Sequence, residues 1–329
     1  MSAIYMSSVL LIGCVAGLGL WVGAWLGRVV HALPLALEAA WQAQLADIQR
    51  EQSAPGAPTA DSPSTADASA PTAGSPSTAE ASASTASSSS TAQSSAPTAS
   101  SPSTAANEAT APSLTAPVPC AACGTVAHGW RSWPGFAAVF APSHCEACGQ
   151  SLPRYHRHIA WLTALVLACC AWRFGYGSGL VFAGVFCAVL IVLAYIDAQT
   201  TLLPDVLTLP LLWMGLLVNS GAGWVPLSHA VWGAALGYGG LWLVYHAFRL
   251  VTGREGMGYG DFKLLAALGA WLGIALLPWI LLAASLAGVV VGLTLRVAGR
   301  TQPGQPLPFG PYLSAAGIIA MLWFANFPG

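Results

Sequence analysis

Gly256-Met257-Gly258-Tyr259-Gly260-Asp261-Phe262-Lys263-Leu264-Leu265 sets a carboxylate at the mouth of an apolar segment, directly after three glycines. From Phe262 to about Trp271 the only charge is Lys263. An ionisable group at that depth in lipid is costly and by default marks a functional site. Glycine removes the side chain where backbone turns tightly or another segment comes close. Asp261 also falls in the first turn of the helix that this run predicts, where unpaired N–H groups and the dipole favour negative charge. One buried carboxylate does little hydrolysis, whereas two can share a proton and act as base and acid in turn. The stretch therefore calls for a partner.

Of the 329 residues 55% are hydrophobic and only 7% charged. A soluble domain carries about 25% charged residues, so the chain reads as an all-α polytopic membrane protein with a soluble insert. Its net charge of −1 gives no electrostatic case for nucleic acid. Apolar runs at about Ile4–Leu26, His158–Phe174, Leu180–Ile196, Val206–Ser220, Leu227–Leu250, Phe262–Leu272, Ile274–Val297 and Tyr312–Phe327 predict eight spanning helices. The sixth and seventh are parted only by Gly273. The first run could be a cleaved signal, but no basic residue precedes it and it is long for a signal core, which favours a retained helix. Five segments follow: a first helix over 1–34, an amphipathic helix over 35–51, a tether over 52–118, a tetracysteine loop over 119–157 and a seven-helix domain over 158–329. The tether is nearly all Ser, Ala, Thr, Pro and Gly, with Ser-Pro-Ser-Thr-Ala recurring at Ser62, Ser75 and Ser101. Such a segment buries no core and is expected to be disordered.

Basic residues orient the chain. With the loop after the first span cytoplasmic, Arg28, Arg50, Arg131, Arg154, Arg157, Arg249, Arg254, Lys263, Arg296 and Arg300 all fall inside. Only Arg173, of eleven basic residues, falls outside. This topology brings Asp197, at the end of the third span, and Asp205, at the start of the fourth, to the same boundary as Asp261. Each aspartate could simply cap a helix, but three at one depth, one of them in Gly-x-Gly-Asp, point to a site. A proton relay in a transporter is the rival from another class; a catalytically silent scaffold is a third reading. His229 falls on the opposite side and His246 within a helix, both read as core or interfacial.

Cys120-x2-Cys123-x21-Cys145-x2-Cys148 has the form of a zinc ribbon, whose paired turns present four thiolates to one structural ion. A cytoplasmic place argues against disulfides. Cys14, Cys169, Cys170 and Cys187 lie in apolar runs, as small hydrophobes do.

Asp197, Leu203-Pro204-Asp205, Gly258-Tyr259-Gly260-Asp261-Phe262-Lys263-Leu264-Leu265 and Leu307-Pro308-Phe309-Gly310-Pro311-Tyr312-Leu313 together resemble the bacterial type 4 prepilin peptidases, intramembrane aspartic proteases of the Gly-x-Gly-Asp kind. The resemblance implies that Asp197 and Asp261 are the catalytic pair, with Asp205, Gly258, Gly260 and Lys263 in support. Lys263 is expected to face solvent or headgroups rather than act on the pair. The resemblance further implies an inner-membrane enzyme that removes a basic leader from prepilins or pseudopilins at the cytoplasmic face, and it agrees with zinc on the tetracysteine loop. Many members then methylate the new N-terminus with S-adenosylmethionine. Their associated segment reads approximately Gly-Ser-Phe-Leu-Asn-Val-x-x-x-Arg-Leu-Pro. Here Gly27 replaces the asparagine and Ala32 the arginine. A family glutamate would fall near Ile159 or Ala160, neither of them acidic, and His156 stands where a proline would be. Three lost polar groups weigh against methyl transfer.

Overall fold

A computed structural model describes residues 2–53, 123, 125, 144–145, 147–150, 155–221, 223–253, 258–300 and 307–325. Among them are eight helices and no strand: α1 Ser2–Ser53, α2 Tyr155–Phe174, α3 Ser178–Thr200, α4 Asp205–Ser220, α5 Leu227–Thr252, α6 Tyr259–Leu272, α7 Leu277–Val297 and α8 Gly310–Phe324. The last seven coincide with the apolar runs, with ends moved by a few residues. The break between α6 and α7 falls at Gly273, where φ is +76°, and α7 restarts with a proline in its first turn.

The first segment departs from expectation. Residues 1–34 and 35–51 do not form two helices; α1 runs unbroken to Ser53 with Pro34 inside it. Ala- and Leu-rich flanks on both sides keep the helical state favourable across the proline. The expected tether, beyond Ser53, lies outside the described residues. The chain divides into a unit of Met1–Ala39 with Ala111–Gly329 and a unit of Ala40–Thr110. In the second, the described part is the end of α1, with Trp41, Leu45 and Ile48 exposed and Arg50 paired to Asp47 at 3.3 Å.

Among the described residues, three helices are long and apolar enough to cross a membrane: the Ser8–Arg50 part of α1, α3 and α7. α4 and α8 are shorter apolar helices. α6 has 14 residues, a rise of about 21 Å at 1.5 Å per residue, short of the ~30 Å hydrocarbon core. It is instead the enclosed centre of the unit: Asp261, Phe262 and Leu264 through Leu272 are all buried. A helix apolar all round is one surrounded by others.

Small residues let its neighbours come close, the usual device where lipid supplies no hydrophobic drive between helices. A Cβ on Gly237 would stand 2.8 Å from the Leu265 carbonyl oxygen, and Gly233 lies directly against Gly269. On the α4 side Trp271 Nε1 donates to the Leu211 carbonyl at 2.8 Å. Asn219 Nδ2 donates to the Ala270 carbonyl at 2.8 Å while its Oδ1 accepts the Val225 N–H at 3.2 Å. Phe186 and Trp224 pack on the Trp271 ring at 4.9 and 5.7 Å. These contacts fix the body of α6 from Leu265 to Trp271.

Candidate active site

Asp197 lies one turn before the end of α3 and is buried. Its Oδ2 accepts the N–H of Gly310 at 2.9 Å. Gly310 opens α8, so the donor belongs to a helix start, where N–H groups lack partners and favour an anion. A Cβ at Gly310 would meet the carboxylate oxygen at 2.7 Å, so no larger residue allows this approach. Asp261 occupies the first turn of α6, buried, and the charge of Asp197 acts on it. Of the motif glycines, Gly260 is held to its size by Leu203, whose Cβ a side chain would meet at 2.7 Å. Gly258 faces open space at the helix start. The close-approach reading of the motif therefore holds at Gly260 and not at Gly258.

Lys263 has a partner that its local pattern does not announce: its Nζ donates to both oxygens of the half-exposed Asp205, at 2.6 and 2.7 Å. Asp205 stands in the first turn of α4, so the pair joins the starts of α4 and α6. The other end of the unit carries different chemistry. There Arg173 donates to the Leu322 and Ala325 carbonyls, each at 3.2 Å, at the end of α8. His229 is at that end too, its carbonyl accepting the Ile274 N–H at 3.2 Å. His246 stacks on Trp242 at 4.0 Å.

Gly310 is the site residue that the sequence reading did not assign. Its Pro-Phe-Gly-Pro setting was legible as a helix start, but nothing local says which side chain a peptide N–H will meet.

Cys123, Cys145 and Cys148 present Sγ atoms within 4.8 Å of one another; Cys120 lies outside the described residues. The Cys123 and Cys145 sulfurs are 3.7 Å apart. Tetrahedral zinc with bonds of ~2.3 Å sets its sulfurs about 3.8 Å apart, so the residues fit that ion. Cys145 N–H donates to the Gln150 carbonyl at 2.7 Å and Gly149 N–H to the Cys145 carbonyl at 2.8 Å. This closes the tight turn that gathers thiolates, with Gly149 at φ +72°. Hydrogen bonding by the Thr125 hydroxyl, then by its backbone, draws the Cys123 thiol down to about 6, toward the thiolate that binds metal. Cys170 and Cys187 are buried between α2 and α3, as small hydrophobes.

Where the family pattern has a glutamate, Ile159 and Ala160 are both fully buried. Gly23 of α1 abuts Ala160, a Cβ there standing 2.7 Å from its Cα. The position is closed by apolar packing.

Two buried aspartates on separate apolar helices, one of them in Gly-x-Gly-Asp, thus stand near enough for the charge of one to act on the other. Residues 184–293, the stretch that holds both, match the type IV leader peptidase family. The chain is 45% identical over 204 residues to the prepilin leader peptidase/N-methyltransferase of Aeromonas salmonicida, covering 62% of this chain and 70% of that protein. It is 42% identical over 207 residues to that of Pseudomonas aeruginosa, again covering 62% and 70%, and 41% identical over 201 residues to that of Neisseria gonorrhoeae, covering 61% and 68%. The chain belongs to the type IV leader peptidase family. No solved structure matches it.

Proposed function

We propose that the protein is a membrane-embedded aspartic endopeptidase that removes the leader from type 4 prepilins or pseudopilins, with Asp197 and Asp261 as the reacting pair. The observation that carries this is the convergence of those two buried acids, in a chain whose relatives are named for prepilin cleavage. The roles follow from their surroundings. Asp197 accepts a peptide N–H and so suits the ionised acceptor that takes a proton from water. Asp261, in its protonated form, hydrogen-bonds the scissile carbonyl, and the proton then passes to the leaving amine. Two close carboxylates cannot both ionise cheaply, which keeps one proton in the pair.

The basic-residue distribution supports an inner-membrane protein with the pair at the cytoplasmic face, where a basic leader meets the apolar helix of a precursor. Eight membrane-embedded helices, with the short α6 enclosed by the others, the division into tether, cysteine loop and seven-helix domain, and a structural zinc ion on Cys120, Cys123, Cys145 and Cys148 belong to the same proposal. In it the four thiolates would hold the ion in a closed site that takes no part in the chemistry. The relatives' names couple cleavage with N-methyl transfer, which would draw on S-adenosylmethionine. The missing polar groups at Gly27, Ala32 and Ile159–Ala160 favour cleavage alone. Relatives named as peptidases favour hydrolysis over a proton-coupled transporter.

The test is cleavage of a purified precursor by the reconstituted protein. Asp197→Asn and Asp261→Asn should each abolish product while the protein still inserts. Full cleavage by either variant would reject the assignment. Mass spectrometry of the product is expected to show the mature chain without an added methyl group.

A further inference from the structure

We propose that the Asp205–Lys263 ion pair is a clasp that sets how Asp261 stands toward Asp197; both are positioning residues, and the role rests on reading those two acids as the reacting pair. The start of α6 needs such a device. The residue that caps it, Gly258, has no side chain to offer its N–H groups. Among the described residues, the Asp261 N–H reaches back to the Gly258 carbonyl over a long 3.3 Å. Helix starts held so loosely fray. Yet this turn carries a reacting group, and a shift of about 1 Å in such a group can cost about a hundredfold in rate.

What grips the turn comes largely from the segment that also carries Asp197. Leu203 presses on Gly260, just before Asp261. Asp205 holds Lys263, just after it, through both carboxylate oxygens at 2.6 and 2.7 Å. The segment after α3 thus takes hold of α6 on either side of Asp261. Residues two apart on a helix point to opposite sides. Lys263 can therefore pull on the turn without presenting its ammonium to the face that meets Asp197. Asp205 also sets a negative charge in the first turn of α4, where the dipole favours it, so one carboxylate serves two helix starts.

The pair is partly open to solvent, with the Lys263 and Asp205 side chains 30% and 53% exposed. Pairs so exposed add little to global stability. If this pair matters, it matters through local order, and that separates it from a merely structural contact.

The experiment uses the full chain in detergent or proteoliposomes, with Lys263→Met, Asp205→Ala and the exchanged variant Asp205→Lys/Lys263→Asp. Each single variant should lower kcat by between about tenfold and a hundredfold, with KM and the global unfolding midpoint little changed. Backbone amide exchange over residues 261–265 should quicken in both. The exchanged variant should recover much of the rate and protection, though not all, since a lysine at the start of α4 opposes the dipole. Wild-type kcat in the single variants, unchanged amide protection, an exchanged variant no better than the singles, or loss of rate only alongside a lowered unfolding midpoint would each overturn the clasp. Absence of precursor cleavage by the wild type would instead count against the peptidase reading, and amide exchange would still decide the clasp.

Discussion

At the scale of single residues, the site depends on what is missing as much as on what is present. Gly310 brings a peptide N–H within 2.9 Å of Asp197 because it has no side chain. Gly310→Ala would drive a methyl group into the carboxylate, 2.7 Å from Oδ2. The expected outcome is a loss of roughly tenfold to a hundredfold in kcat/KM with a stability cost of about 1–3 kcal/mol, read from precursor cleavage and thermal unfolding of the same preparation. Gly258→Ala, facing open space, should be far milder. The contrast tests the geometry, since both glycines stand in motifs that a pattern treats alike.

At the scale of elements, α6 is held by polar contacts from α4 and by backbone approach from α5. Trp271→Phe keeps the ring packing but removes the indole N–H that the Leu211 carbonyl accepts. That carbonyl lies inside α4 and keeps its helical partner, so the loss is one hydrogen bond, about 0.5–1.5 kcal/mol, and the unfolding midpoint should fall. Gly269→Val would push α5 away, since Gly233 lies against it, and an overpacked seam of this kind costs about 1–3 kcal/mol or more. In the cysteine loop, Cys145→Ser should release the metal that elemental analysis of the wild type is expected to find. A wild-type preparation without zinc would remove that site. Much of this scale was legible in the sequence. The apolar runs give the last seven helices nearly to their ends, and the lone Gly273 marks a real break. Less legible were contacts between distant segments. Asn219 with Ala270, Lys263 with Asp205 and Gly310 with Asp197 are pairings of residues whose local patterns say nothing of each other. The continuity of α1 through Pro34 was missed because a proline between two differently composed segments reads as a boundary.

At the scale of the whole molecule, the aspartates and the Asp205–Lys263 pair gather at one end of the first unit, while Arg173 and the carbonyls that end α8 gather at the other. A cysteine introduced at the exposed Leu202, just after α3, should react with an impermeant maleimide from the cytoplasmic face only. One at the exposed Tyr176, between α2 and α3, should react from the opposite face only. The reverse pattern would invert the topology and place the pair on the wrong side for a basic leader.

The mooring of Asp197 also bears on inhibition. Its donor is part of the main chain, so exchange of a neighbouring side chain cannot delete it without shifting α8 bodily. A drug that competed for Asp197 would meet an opponent that side-chain exchanges other than at Gly310 itself can hardly weaken or strengthen. Resistance through this contact would have to change Gly310 or displace α8, and either would disturb the carboxylate to which we assign the activation of water.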